Sequence, residues 1–231
     1  MSTPIAIVAG VGPGTGAEVA RRFSGSYPVV LLARDSQNLE GIAEEINKGG
    51  GRAVGIIANV SNPESMKNAF RKIEQEFKGA PIAAAVFNAS SRPLRAPIVE
   101  VKLEDLKKLI VSYGLFKHAE DESARYPPTL VFTGATASIK ANAQMSAFAS
   151  AKFAMRALSM SIAREYGPKG VHTAHVIVDG VIDTEFTKKW TKDMSAEATI
   201  APSGIAESYW NLHTQSKRCF TNEIGPMLEK W

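Results

Sequence analysis

The chain has 231 residues, 45% of them hydrophobic, enough for one sizeable core and too few for two full α/β domains. Its net charge of +4 is spread along the chain rather than gathered in a basic stripe with interleaved aromatics, which argues against nucleic acid as the main partner. The lone Cys219 excludes an intramolecular disulfide framework and points to a reducing, cytoplasmic compartment; no stretch approaches the ~18 apolar residues of a membrane span, and residues 1–10 lack the features of a signal peptide.

From the N-terminus, Pro4–Ala9 is predicted to be a short buried strand. It runs directly into Gly10-Val11-Gly12-Pro13-Gly14-Thr15-Gly16 and then into the helical pattern Ala17–Phe23. Glycines between a strand and a helix allow a tight turn and close approach of the backbone to a pyrophosphate, whose charge is met by free N–H groups at the helix start. Gly10, Gly14, Thr15 and Gly16 are therefore candidate cofactor-binding residues.

The next predicted strand, Val29–Ala33, ends in Arg34. In dinucleotide folds an acidic residue about 20 positions past the glycines binds the ribose 2′-hydroxyl, whereas an arginine accommodates a 2′-phosphate. The planar, permanently charged fork of Arg34 favours NADP(H); the alternative is that Asp35 binds the ribose and Arg34 is a solvated loop residue.

Further strands are predicted at Ala53–Ala58, Ile82–Asn88, Thr129–Gly134, His172–Val178 and Arg218–Asn222. Helices are predicted at Ser36–Lys48, Pro63–Lys78, Lys102–Ala124, Met145–Glu165 and Ile205–Thr214. Alternating strands and helices throughout predict a single domain, residues 1–231, built as a doubly wound, Rossmann-type parallel sheet with helices on both faces. Ligands of such sheets bind beyond the carboxyl ends of the strands, where the strand order reverses.

Phe148-Ala149-Ser150-Ala151-Lys152 resembles the Tyr-x-x-x-Lys motif of the short-chain dehydrogenases/reductases, with the ring in place and its hydroxyl missing. Gly10, Gly14 and Gly16 match the family's glycine pattern, with Ala9 in its threonine position. Asn88-Ala89-Ser90 is similar to its Asn-Asn-Ala-Gly, and Asp179-Gly180-Val181-Ile182-Asp183-Thr184 to its Pro-Gly-x-x-x-Thr. The resemblance covers nearly the whole chain.

It implies a nicotinamide cofactor, NADP(H), and a small-molecule substrate. Asn59 would stand near the adenine, and Asn88 with Ala89 would either contact the cofactor or bridge neighbouring strands. Lys152 would clamp the ribose, while Gly180, Ile182 and Thr184 would hold the carboxamide. A phenyl ring can neither give nor take a proton, so Phe148 keeps the shape of the family's general acid without its chemistry. The family's carbonyl-polarising serine falls on Ala135; Thr136 and Ser138 are the nearest hydroxyls, and Ser138 is the catalytic candidate beside Lys152 and Phe148. The helix asparagine falls near Val111, with Ser112 the nearest polar substitute.

Residues 185–204 lie where relatives have a substrate lid, with Phe186, Trp190 and Met194 as apolar candidates for the pocket or as anchors to the core. Helix Met145–Glu165 would pair across a homodimer or homotetramer interface, and the polar segment Lys117–Ser123 disfavours the tetramer. Three functions stay open. The first is an NADP(H)-dependent reductase acting on C=O, C=C or C=N; the second is a non-redox enzyme such as a cyclase or pericyclase on the same scaffold. The third is a catalytically silent NADP(H)-binding protein.

Overall fold

The computed structural model describes residues 3–90 and 125–227. Seven parallel strands form one sheet in the order β3-β2-β1-β4-β5-β6-β7. They are β1 Ile5–Ala9, β2 Val29–Ala33, β3 Ala53–Ile57, β4 Ile82–Phe87, β5 Thr129–Thr133, β6 His172–Val176 and β7 Glu223–Ile224. The described helices are α1 Thr15–Ser24, α2 Ser36–Lys48, α3 Pro63–Phe77, α4 Ser146–Tyr166, the single turn α5 Lys188–Thr191, and α6 Pro202–His213.

The central strands are apolar along their length because both faces of the sheet are covered. Strand periodicity then divides the core in two. Ala6 and Val8 of β1 pack with α1, α2 and α6 through Val19, Phe23, Leu39, Ile205 and Leu212. Ile5, Ile7 and Ala9 pack on the opposite face against α3 and α4, through Met66, Ile73, Phe77 and Met155. Local signals fix the helix starts: the Asp35 side chain accepts the Gln37 N–H to cap α2, and Asn62 accepts the Ser65 N–H to cap α3.

The doubly wound sheet is as predicted, with differences at element ends. Helix α1 begins at Thr15 rather than Ala17, directly after the glycine turn, and α6 begins at Pro202, a residue suited to the first helical turn, rather than at Ile205. The predicted strand Arg218–Asn222 does not form. Cys219 N–H donates to Ser216 O in a turn, and the Gln215 amide clamps Thr221 through Thr221 N–H to Oε1 (2.7 Å) and Nε2–H to Oγ1 (3.0 Å). Pairing with His175 and Val176 is thus left to Glu223 and Ile224. The predicted helix Lys102–Ala124, with Val111 and Ser112, and the polar segment Lys117–Ser123 lie outside the described residues.

The strand order reverses beside β1, where β2 leads to one edge and β4 to the other. Gly10 follows β1 and Asn88 follows β4 at that divergence, which places both at the crevice of a doubly wound sheet.

Candidate functional site

Gly10 has φ +95°, and a Cβ there would come within 2.5 Å of Ala89 backbone atoms. Glycine is therefore required by both conformation and space. The turn is held from below: Asn88 Nδ2 donates to Gly10 O at 2.9 Å, and Asn88 N–H donates to Ala9 O at 2.8 Å. Asn88 thus bridges β4 to the glycine turn, and its amide is committed to shaping that turn.

Thr15 opens α1, and its hydroxyl is buried without a hydrogen-bond partner among the described residues. Helix starts leave their first N–H groups without intrahelical acceptors, and their dipole favours negative charge. An orphaned hydroxyl beside such N–H groups, on a loop whose Gly12 has open space around it, fits a pyrophosphate. Thr184 approaches from the far wall, since a Cβ on Gly14 would meet its Cγ2 at 2.8 Å.

Arg34 stands exposed at the end of β2 and makes no ion pair among the described residues. Its neighbour Asp35 is already engaged as the α2 cap, with Oδ1 accepting the Gln37 N–H at 3.0 Å. Asn59 is exposed beyond β3, where its side chain accepts the Ser61 N–H in a local turn. These positions fit a phosphorylated ribose with an adenine beside it.

At the opposite end, the Lys152 ammonium is buried and donates to Thr133 O at 2.9 Å. Burial pushes its pKa down to about 8. An ammonium has three donors, so this bond to a carbonyl leaves it capacity to hold a ribose hydroxyl as well. Its Nζ lies 5.7 Å from the centroid of the Phe148 ring, one helical turn earlier on α4. Phe148 itself packs in a small apolar cluster with Ala135, Ala137, Ala149 and Met145.

Ser138 is fully buried at the end of a 3-10 turn, Thr136–Ser138. Its Oγ accepts the Ala135 N–H at 3.1 Å and lies 3.3 Å from His175 Nε2. Gly134 permits that approach, since a Cβ there would meet the imidazole at 2.4 Å. The sequence expectation that Ser138 presents its hydroxyl to a ligand does not match this placement: the side chain turns into the wall between β5 and β6.

Behind it, His175 Nδ1 faces Glu223 Oε2 at 3.5 Å, and Glu223 is gripped by Arg156 through two bonds of 2.6 and 2.8 Å. Burial holds the His175 pKa down to about 4, with the Glu223 carboxylate opposing. The imidazole is therefore neutral near pH 7. The cluster of His175, Glu223 and Arg156 behind Ser138 was not legible in the sequence, because it comes together only when β5, β6 and β7 pair.

Thr136, the first residue of the same turn, donates its hydroxyl to Asp179 Oδ1 at 2.5 Å. Asp179 follows β6 and leads into Gly180–Thr184. In that segment Thr187 Oγ1 donates to Ile182 O at 2.6 Å, Asp183 N–H donates to Ile200 O at 2.9 Å, and Thr184 N–H donates to Thr187 Oγ1 at 2.9 Å. The Ile182 N–H makes no hydrogen bond among the described residues and is free to meet a ligand carbonyl. Beyond it, Phe186 and Trp190 stack edge to face at 5.0 Å, both largely exposed. No group of three or more metal-ligating side chains occurs among the described residues, nor any helix long and apolar enough to cross a membrane.

Residues 4–195 match the family model of the short chain dehydrogenases. The chain is 28% identical over 222 residues to an uncharacterised oxidoreductase of Bacillus subtilis (strain 168); that match takes in 90% of the chain and 32% of the relative, so the chain spans about a third of its length. Among solved structures it superposes on a short-chain dehydrogenase from Rhodopseudomonas palustris with TM-score 0.75 and 26% identity, covering 97% of this chain and 98% of that one. A metagenomic short-chain oxidoreductase in complex with NADP gives TM-score 0.77 at 21% identity, covering 99% of each chain.

Proposed function

We propose that this chain, which belongs to the short-chain dehydrogenase family, is an NADP(H)-dependent oxidoreductase that reduces a small organic substrate, preferring C=N or C=C bonds to ketones. When bound, the cofactor supplies a hydride equivalent. The glycine turn with Thr15 receives the pyrophosphate, Arg34 the 2′-phosphate, and Asn59 flanks the adenine. Asn88 and Ala89 shape the floor of the cleft, Lys152 holds the nicotinamide ribose, and Gly180, Ile182 and Thr184 bind the carboxamide. The solved relative with NADP supports the cofactor class.

The observation that carries the substrate preference is the apolar ring of Phe148 standing 5.7 Å from the Lys152 ammonium where an acid is needed, with the Ser138 hydroxyl turned away to His175. A ketone that gains hydride becomes an alkoxide, whose charge must be neutralised by a donor close at hand. An iminium carbon that gains hydride passes its π pair to nitrogen and cancels the charge already there. An enone can take its proton afterwards from water. Neither needs the missing hydroxyl at the moment of transfer.

The apolar wall of Phe148, Ala135, Ala137, Ala149 and Met145 favours, as a second reading, a shaped cavity for a non-redox cyclisation. Product formed without cofactor consumption distinguishes it. A silent cofactor-binding protein would bind NADPH and turn over no substrate. We further place the protein in the cytoplasm as a single domain with residues 185–204 as substrate lid, and as a homodimer through α4, whose Phe153 and Met160 are exposed.

Cofactor choice tests the distal end. NADPH should bind more tightly than NADH in a fluorescence titration, and Arg34→Ala should erase most of that difference, a loss of ~1.5–3 kcal/mol for a charge-assisted contact. Equal affinity of the unmodified protein for the two cofactors would remove Arg34 from this role.

A further inference from the structure

Asp179 is half-buried at the carboxyl edge of the sheet, and the only partner its carboxylate has among the described residues is the Thr136 hydroxyl. Among the described residues no lysine, arginine or histidine pairs with it. This is an unusual situation for a carboxylate removed from full solvation, because such groups are ordinarily paired with a cation or held by several donors.

Its surroundings are fixed rather than loose. Asp179 N–H donates to Pro226 O at 2.9 Å, which ties the backbone to the strand end beyond β7. The Thr136 turn is fixed on its other side by the Ala135 N–H bond to Ser138 and by the contact of Ser138 with His175. The carboxylate therefore sits between two anchored segments. One carries Ala135, which packs on Phe148; the other runs on through Gly180 to Thr184, which reaches the glycine turn at Gly14. A single hydroxyl donor leaves most of the carboxylate's acceptor capacity unused.

We propose that Asp179, positioned by Thr136, is a specificity-determining anion that selects substrates carrying a positively charged nitrogen. The complementary ligand is an iminium before reduction and an ammonium after its product takes up a proton from water. This rests on the reductase reading given above and narrows its substrate class to cationic nitrogen compounds. The division of labour is then consistent with a site that lacks a proton donor: the incoming hydride cancels the positive charge of an iminium without any proton, and the fixed carboxylate serves to bind and select that cation.

The test is a binding measurement with a matched pair of probes, cyclohexylamine, which is cationic at neutral pH, and cyclohexanol, which is neutral and similar in size. Both are titrated calorimetrically into the full chain, with and without NADP⁺. The expected result is that the amine binds about tenfold or more tightly than the alcohol, a preference that falls with added salt. Asp179→Asn should remove that preference, and Thr136→Val should weaken it by freeing the carboxylate to rotate.

Equal binding of the two probes by the unmodified protein, or no measurable binding of the amine at millimolar concentration, overturns the proposal, as does an Asp179→Asn variant that keeps the preference. The unmodified protein's selectivity and salt response carry the test even if a variant does not fold. NADPH binding is titrated in the same samples by fluorescence, so failure of the cofactor assignment is read separately from failure of the charge assignment.

Discussion

Phe148→Tyr should raise the rate of NADPH-dependent reduction of simple ketones by ~10²-fold, the usual contribution of a positioned general acid. The added hydroxyl would extend a ring that already stands within 5.7 Å of the Lys152 ammonium, whose pKa burial has pushed down to about 8. A tyrosine beside a cation ionises more readily, which is what proton transfer at neutral pH requires. Phe148 packs against small neighbours and Met145 and is close to fully buried, so the new hydroxyl must find a partner, for which the Lys152 ammonium is the nearby charged donor. Because the Ser138 hydroxyl is bound at His175, the variant still lacks a donor for the carbonyl oxygen. Adding Ala135→Ser should therefore give a further gain of about 10²-fold, the scale of one oxyanion donor. Iminium and enone substrates should gain little from either change. If the unmodified chain already reduces ketones as fast as the tyrosine variant, another group supplies the proton and Lys152 becomes the candidate to mutate.

Acid should destabilise the fold well before its carboxylates are protonated. Burial depresses the pKa values of His175 and His213 to about 4, and that of His172 in the same direction. The bonding around His213 favours the neutral ring: Thr129 Oγ1 donates to Pro127 O, so it accepts from His213 Nδ1–H, which leaves Nε2 to accept the Tyr27 hydroxyl at 2.9 Å.

A histidine whose folded pKa lies below its unfolded value of about 6.5 is bound to fewer protons in the folded state. Stability is then full above the unfolded value and falls as pH drops from about 6.5 to about 4, below which both states are protonated and the curve flattens. His175 and His213 together should cost roughly 4 kcal/mol between pH 7 and 4.5. Urea unfolding across that range measures it. Combining His175→Gln with His213→Gln should flatten the profile, whatever the variant's absolute stability; a loss below about 1 kcal/mol in the unmodified protein would mean that these rings are not held neutral.

The fold was legible because its signals are local. The glycine turn needs a positive φ at Gly10 and close backbone approach, which only glycine supplies, and the flanking apolar runs have the periods of a buried strand and an amphipathic helix. The end of the chain was not: Arg218–Asn222 has strand-like residues, yet a Gln215 to Thr221 clamp turns the backbone and leaves pairing to Glu223 and Ile224. Tertiary contacts overrode a weak local pattern.

The site divides in the same way. Lys152 and the glycines follow from spacing along one helix or one turn. The partnership of Thr136 with Asp179 spans 43 residues and exists only because β5 and β6 are neighbours, as does the capture of Ser138 by His175. Spacing alone offered Ser138, three residues past Ala135, as a hydroxyl facing the nicotinamide; what it lacked was the imidazole of His175, buried in β6, 3.3 Å from that hydroxyl.

Hydride delivery by a site without a tyrosine leaves an isotopic signature in the product. It is tested most directly by incubating the protein with NADPH labelled with deuterium at its transferable position and with a cyclic iminium, an enone and a ketone, each followed by mass spectrometry. The expected result is deuterium at carbon in the product of the iminium or the enone, stoichiometric loss of NADPH absorbance, and little conversion of the ketone until Phe148 is replaced by tyrosine. Product that forms from any of them with NADPH unconsumed and no deuterium incorporated, or tight NADPH binding with no conversion of all three, would contradict it.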